Sequence, residues 1–200
     1  MVRMVVMALA LSACVASEDS GSEAAPAGAA EMSEAARRLE EIKQGDDWKP
    51  AVGGTSVMVL DDGFAIAGFD PVAYFTEGGP VPGTPEWTYE WRDAVWLFST
   101  EHHRDLFASD PEAYAPQYGG WCAYGVSGHK DGPGYGAETR PQDSWSIIDG
   151  KLYFNWNPAI ADRFRSQYTQ LVDDADGYWP DVSADLETGG RVHRQTGLDR

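Results

Sequence analysis

Two cysteines and four histidines are the side chains of this 200-residue sequence best suited to ligate a soft metal or to act as nucleophiles. Their settings differ sharply. Cys14 ends the run Leu11-Ser12-Ala13-Cys14, behind a short basic start (Met1-Val2-Arg3) and an apolar stretch from Met4 to Leu11. Small residues before a cysteine give a signal peptidase access to the backbone, and the thiol then carries diacylglycerol. The apolar stretch falls far short of the ~20 residues a membrane-spanning helix needs. Residues 1–13 therefore read as a lipoprotein signal peptide and Cys14 as the lipid-attachment residue. Acyl chains there would be the membrane anchor, each buried methylene contributing about 0.8 kcal/mol.

With Cys14 consumed by lipid, Cys122 has no partner within the chain for a disulfide. Three readings of this thiol compete. It is an inert apolar filler beneath Trp121 and Tyr124, a thiolate ligand to a metal, or a redox or nucleophilic group needing a lowered pKa. The histidines decide what could assist it. On a helix over Thr100–Ser109, His103 precedes Leu106 and Phe107 by three and four residues, on the stripe that faces the core. His102 is turned ~100° away from it. A core-edge histidine hydrogen-bonded to a backbone carbonyl accounts for His103 as readily as ligation does. His129 lies on a Gly-rich insert (Ser127 to Pro141) and could close over Cys122, although a loop histidine is commonly just solvated. His193 falls in a polar tail and is assigned no role. Asp70 could be a ligand, but its place before Pro71 is explained by helix capping.

The elements that must position these residues are hairpins and short helices. Val57–Leu60 and Phe64–Ala67 flank Asp61-Asp62-Gly63, a hairpin signal. Trp87–Trp91 and Ala94–Phe98 make a second hairpin around Arg92-Asp93. Trp145–Ile148 and Leu152–Trp156 make a third around Asp149-Gly150. The alternation of Trp87, Tyr89, Trp91 and Trp96 suits a packed strand pair better than a ligand cage. Ser99 is placed to cap the helix over 100–109, and Asp110-Pro111 opens a short one reaching Tyr114. Asn157-Pro158 starts a final helix to about Ala175, with Ile160, Phe164, Tyr168 and Leu171 on one stripe. The pattern predicts an α+β fold, with a small, mainly antiparallel sheet of hairpins, flanking short helices and a longer C-terminal helix. Parallel βαβ units and a Gly-rich phosphate loop are not evident. Ser99 and Ser127 sit in no nucleophile-elbow context.

Charge bounds the partners. A net charge of −17 repels phosphate backbones and anionic headgroups, which disfavours nucleic-acid binding and docking of the protein surface on an anionic leaflet. The domain boundaries follow from composition. Residues 14–30 are a flexible tether rich in Ala, Ser, Glu and Gly, and residues 31–56 a helical arm (EMSEAARRLEEIKQ) with a linker. Residues 57–180 are the compact domain and residues 181–200 a polar tail.

From Gly68 to about Arg165 the chain resembles the YHS-domain family, in its branch of small exported bacterial proteins. The matching text is Gly68-Phe69-Asp70-Pro71-Val72-Ala73-Tyr74-Phe75, then Trp96-Leu97-Phe98-Ser99 with His103 and Phe107. It continues in Tyr114-Ala115-Pro116-Gln117-Tyr118-Gly119-Gly120-Trp121-Cys122-Ala123-Tyr124-Gly125-Val126 and closes on Trp145 and Asp149 to Asn155. The resemblance implies a compact α+β domain related to treble-clef-like metal-binding modules, with His103 at the position of the family's motif histidine. Members often accompany copper-transporting pumps. Some proteins similar to this branch have selenocysteine where this chain has Cys122, which points toward redox chemistry instead. The Gly-rich insert departs from the family by its length.

Taken together, these observations lead to one expectation with two alternatives. The expectation is an exported lipoprotein on the periplasmic or cell-surface side of a bacterial membrane. It would bind a soft transition metal, copper with zinc as alternative, through Cys122, His103 and His129. The alternatives are a thiol-dependent redox protein using Cys122, and a non-catalytic module for a protein partner or organic ligand. Enzymatic activity is not the favoured expectation.

Overall fold

Short strands and mostly short helices follow one another because turn residues recur every few positions. The computed structural model describes residues 50–51, 53–60, 63–128 and 133–190. The signal peptide, Cys14, the tether, the arm at 31–44, Asp61-Asp62, His129 and His193 lie outside the described residues. The fold is α+β, and its strands form three separate antiparallel pairs among the described residues. In order come β1 (Pro50–Ala51), β2 (Val59–Leu60), α1 (Ala73–Thr76), β3 (Thr84–Trp91), β4 (Ala94–Phe98), α2 (Glu101–Ser109) and α3 (Pro111–Tyr114). They are followed by α4 (Ala123–Val126), β5 (Trp145–Ile148), β6 (Lys151–Phe154), α5 (Pro158–Ser166) and α6 (Tyr168–Glu187). No described helix is long and apolar enough to cross a membrane.

Two of the expected hairpins form. β3 pairs with β4 across Arg92 and Asp93, whose φ angles of 52° and 54° are those of a type I′ turn. β5 pairs with β6 across Asp149 and Gly150, again with both φ angles positive. The first expected hairpin does not form as anticipated. β2 pairs with β1, and only the single bridge Val59 to Ala65 survives from the expected second strand. The chain instead coils tightly over Ile66–Gly68, with Ile66 and Ala67 at positive φ and fully buried. Burial of these side chains against the core prevails over strand pairing.

The C-terminal helix also differs from expectation. It breaks at Gln167 into α5 and α6, and α6 continues to Glu187 despite Pro180. Val182 and Leu186 are buried, so the first residues of the expected polar tail are helical and packed. Gly53 and Gly54 donate backbone hydrogen bonds to the carbonyls of Leu186 and Glu187, which ties the residues ahead of β2 to the end of α6.

Strand β6 divides the interior because successive side chains point to opposite faces. Leu152 and Phe154 join a core with Phe69, Tyr74, Trp96, Phe98 and Phe107. Tyr153 joins another with Trp121, Cys122, Phe164, Leu171 and Leu186. Each half holds one of the chemically distinctive residues.

Candidate functional site

His103 is built into the first half. Thr100, not Ser99, caps α2, its hydroxyl accepting from the His103 backbone N–H at 3.1 Å. Ser99 is thereby free for another task. Its hydroxyl and its N–H both donate to Asp70 Oδ2, at 2.7 and 2.8 Å. The same oxygen lies 2.6 Å from His103 Nδ1. Asp70 Oδ1 meanwhile accepts from the N–H groups of Val72 and Ala73, at 2.9 and 3.3 Å, which is the capping role expected of it. The carboxylate is fully buried and takes five donors. Those donors supply the hydrogen bonds that burial takes away from water.

The Asp70 contact makes Nδ1 the donating nitrogen of His103. Nε2 then faces outward, 3.2 Å from the Thr76 hydroxyl and 3.9 Å from Glu77 Oε1. His103 itself is buried, as its place on the core stripe implies, but its partner is a carboxylate and not a backbone carbonyl. The arrangement clasps α1 to the start of α2, and both ring nitrogens are engaged. His102 is exposed, its ring centre 6.3 Å from that of His103.

Cys122 is built into the second half by the glycines before it. Gly119 and Gly120 both have positive φ. A Cβ on Gly119 would stand 2.3 Å from the Ser56 carbonyl oxygen, so only glycine lets these segments meet. Met58 N–H bonds to the Gly119 carbonyl and Trp121 Nε1 to that of Ser56. The turn delivers Cys122 to the residue before α4, where it bridges Phe154 and donates its N–H to the Ala137 carbonyl.

Cys122 is 2% exposed, and the nearest side-chain partner of its sulfur is Asn155 Oδ1 at 3.7 Å. Burial pushes the thiol up to about 11; main-chain N–H groups of Gly125, Trp156 and Tyr124 pull in the opposite direction. Desolvation wins, so the resting group is a neutral thiol. Asn155 is fully buried, and its Oδ1 also accepts from Tyr124 N–H at 3.2 Å. Its Nδ2 finds no acceptor among the described residues.

The groups around the Cys122 sulfur and those around the His103 imidazole have no residue in common. Among the described residues, no three His, Cys, Asp or Glu side chains gather as a metal centre would require. The described residues therefore do not fit copper or zinc at a Cys122–His103 centre. Sequence reasoning missed Asn155 and the bond from Ser99 to Asp70. An asparagine ending the apolar strand Leu152-Tyr153-Phe154, with no turn of its own, was the available signal for the first. Compared with protein-family models, curated proteins and solved structures, the chain matches none.

Proposed function

We propose that the chain is an exported, lipid-anchored protein whose YHS-like domain works as a non-catalytic binding module for a protein partner or organic ligand. The observation that carries this reading is the sealed state of Cys122: buried, neutral, and set in the core beneath the Gly-Gly turn. A redox enzyme using this residue needs a thiolate near neutral pH, and burial moves the thiol the other way. His103 is likewise spent on holding Asp70, Ser99 and Thr76 together. What the domain presents outward is surface. Ile147 is exposed on one face of β5, and an open groove lined by Ile148, Arg165, Tyr168 and Gln170 lies at the junction of α5 and α6.

Alkylation of the native protein tests the reading directly. With iodoacetamide at pH 7.5, Cys122 should stay unlabelled on the timescale in which the urea-unfolded chain is labelled completely. Rapid native labelling would sink the non-catalytic reading. A photo-crosslinking residue in place of Ile147, irradiated in intact cells, should yield an adduct of defined mass. No adduct there, with adducts elsewhere on the domain, would move the binding surface.

A further inference from the structure

We propose that Thr76 is a site of covalent acyl modification, its hydroxyl activated by His103 and His103 oriented by Asp70. The contacts that make His103 a clasp also set a hydroxyl, an imidazole and a carboxylate in series. Thr76 Oγ1 lies 3.2 Å from His103 Nε2, and His103 Nδ1 lies 2.6 Å from Asp70 Oδ2. An activated hydroxyl needs this order: a nucleophile within reach of a base, and the base held by a third group. Separate segments deliver the three. Asp70 caps α1, Thr76 is the last residue of α1, and His103 stands in the first turn of α2.

The protons fall in the order the chemistry requires. In the neutral imidazole the Asp70 contact takes the hydrogen on Nδ1, which leaves Nε2 with a lone pair toward the Thr76 hydroxyl. Thr76 Oγ1 also bonds to the Val72 carbonyl at 3.2 Å, a contact one helical turn back that pins the side chain. The hydroxyl proton thus has two acceptors at the same distance, and of these the imidazole is the base. Once protonated, the ring faces Asp70 Oδ2 at 2.6 Å and Glu77 Oε1 at 3.9 Å, and both carboxylates stabilise its charge. Access is open here, as it is not at Cys122, for Thr76, Glu77 and Gly78 are all exposed. The same carboxylates repel an anionic phosphoryl donor, so the chemistry favours a neutral ester.

The step is an acyl transfer from an activated ester, RCO–X. Thr76 Oγ1 attacks the carbonyl carbon, the new O–C bond forms, and the hydroxyl proton passes to His103 Nε2. The C–X bond then breaks and the proton leaves with X as HX. The product is an ordinary alkyl ester, whose leaving group is a poor one, so hydrolysis is slow and one acyl group remains on the chain. This is a mark on the protein and not turnover of a substrate. It holds or fails apart from the binding role proposed above.

The test uses the full-length chain in detergent, p-nitrophenyl acetate as probe, and mass spectrometry to place each acetyl group. Thr76 should be acetylated about 100-fold faster than Thr169, an exposed threonine in the same molecule. Urea should abolish that preference. Thr76→Ser should keep the mark and Thr76→Val should lose it. His103→Gln removes the base and should bring the rate at position 76 down to that of Thr169. His103→Asn serves if the glutamine variant does not fold by near-ultraviolet circular dichroism. Three results overturn the proposal: equal rates at Thr76 and Thr169 in the native protein, a preference that survives urea, or a preference unchanged in a folded His103 variant.

Discussion

The two halves of the interior handle buried polarity in opposite ways. Around His103, a carboxylate is taken fully out of water and surrounded by five donors, and the histidine that supplies one of them is itself engaged on both nitrogens. Around Cys122, the central group is weakly polar: the thiol donates to Asn155 Oδ1 at 3.7 Å, and burial keeps it protonated. The first centre is closed electrostatically and works as a clasp. The second is held by burial more than by polar contacts, and it leaves one buried donor, Asn155 Nδ2, without an acceptor among the described residues. The family resemblance joined these two residues into one metal site; the fold assigns them to different cores on either side of β6.

The largest effect should come from breaking the closed centre. Asp70→Ala strands the Ser99, Val72 and Ala73 donors and leaves His103 without its counterpart. A loss of about 3–5 kcal/mol is expected in urea unfolding. A loss below about 1 kcal/mol would show that the clasp contributes no more than a surface pair. In the other half, Leu186→Ala should cost about 2–4 kcal/mol, because a fully buried leucine near the end of α6 leaves a cavity beside Gly136. A near-zero cost would mean that the end of α6 does not belong to the Cys122 core.

Alkaline titration distinguishes the halves next. The folded thiol holds its proton up to about 11, above the ~8.5 of an unfolded cysteine. The stabilisation this represents is complete below pH ~8.5 and disappears as pH rises toward 11, since the unfolded chain releases its proton first. About 3 kcal/mol is at stake. Buried Tyr118 and Tyr153 also hold their protons above the ordinary phenol range, chiefly through burial, and destabilise in the same direction at still higher pH. Cys122→Ala isolates the thiol's share: its stability should fall less between pH ~8.5 and about 11 than that of the wild type. Equal slopes would remove the claim that burial governs the sulfur. The smallest change is Thr76→Val, which removes the outward partner of His103 Nε2. It should cost about 1 kcal/mol or less, because Thr76 is exposed and water can replace its hydroxyl.

Several elements were legible in advance because their signals are local. Arg92-Asp93 and Asp149-Gly150 set turns between alternating strands, and Asn157-Pro158 opens a helix whose first turn the asparagine side chain caps at 2.8 Å. The core-facing position of His103 followed from its spacing to Phe107. The failures were non-local. The run Phe64–Ala67 reads as a strand from its neighbours alone, yet β1 takes the pairing and the core takes the side chains. Residues 181–187 look too polar to pack, yet Val182 and Leu186 suffice because they join the core of Trp121, Cys122 and Phe164.

By itself the sequence determined the α+β class, two of the hairpins, the helix starts at Asp70 and Asn157 and the identity of the groups able to do chemistry. Those depend on interactions between residues a few positions apart, which order and spacing encode. The tertiary structure alone decided which groups meet. It gave Asp70 to His103 and Ser99, gave Asn155 to Cys122, and sealed the thiol from water. Each of those pairings spans roughly thirty positions or more of chain, and burial, which sets the thiol's charge, belongs to the packed core as a whole.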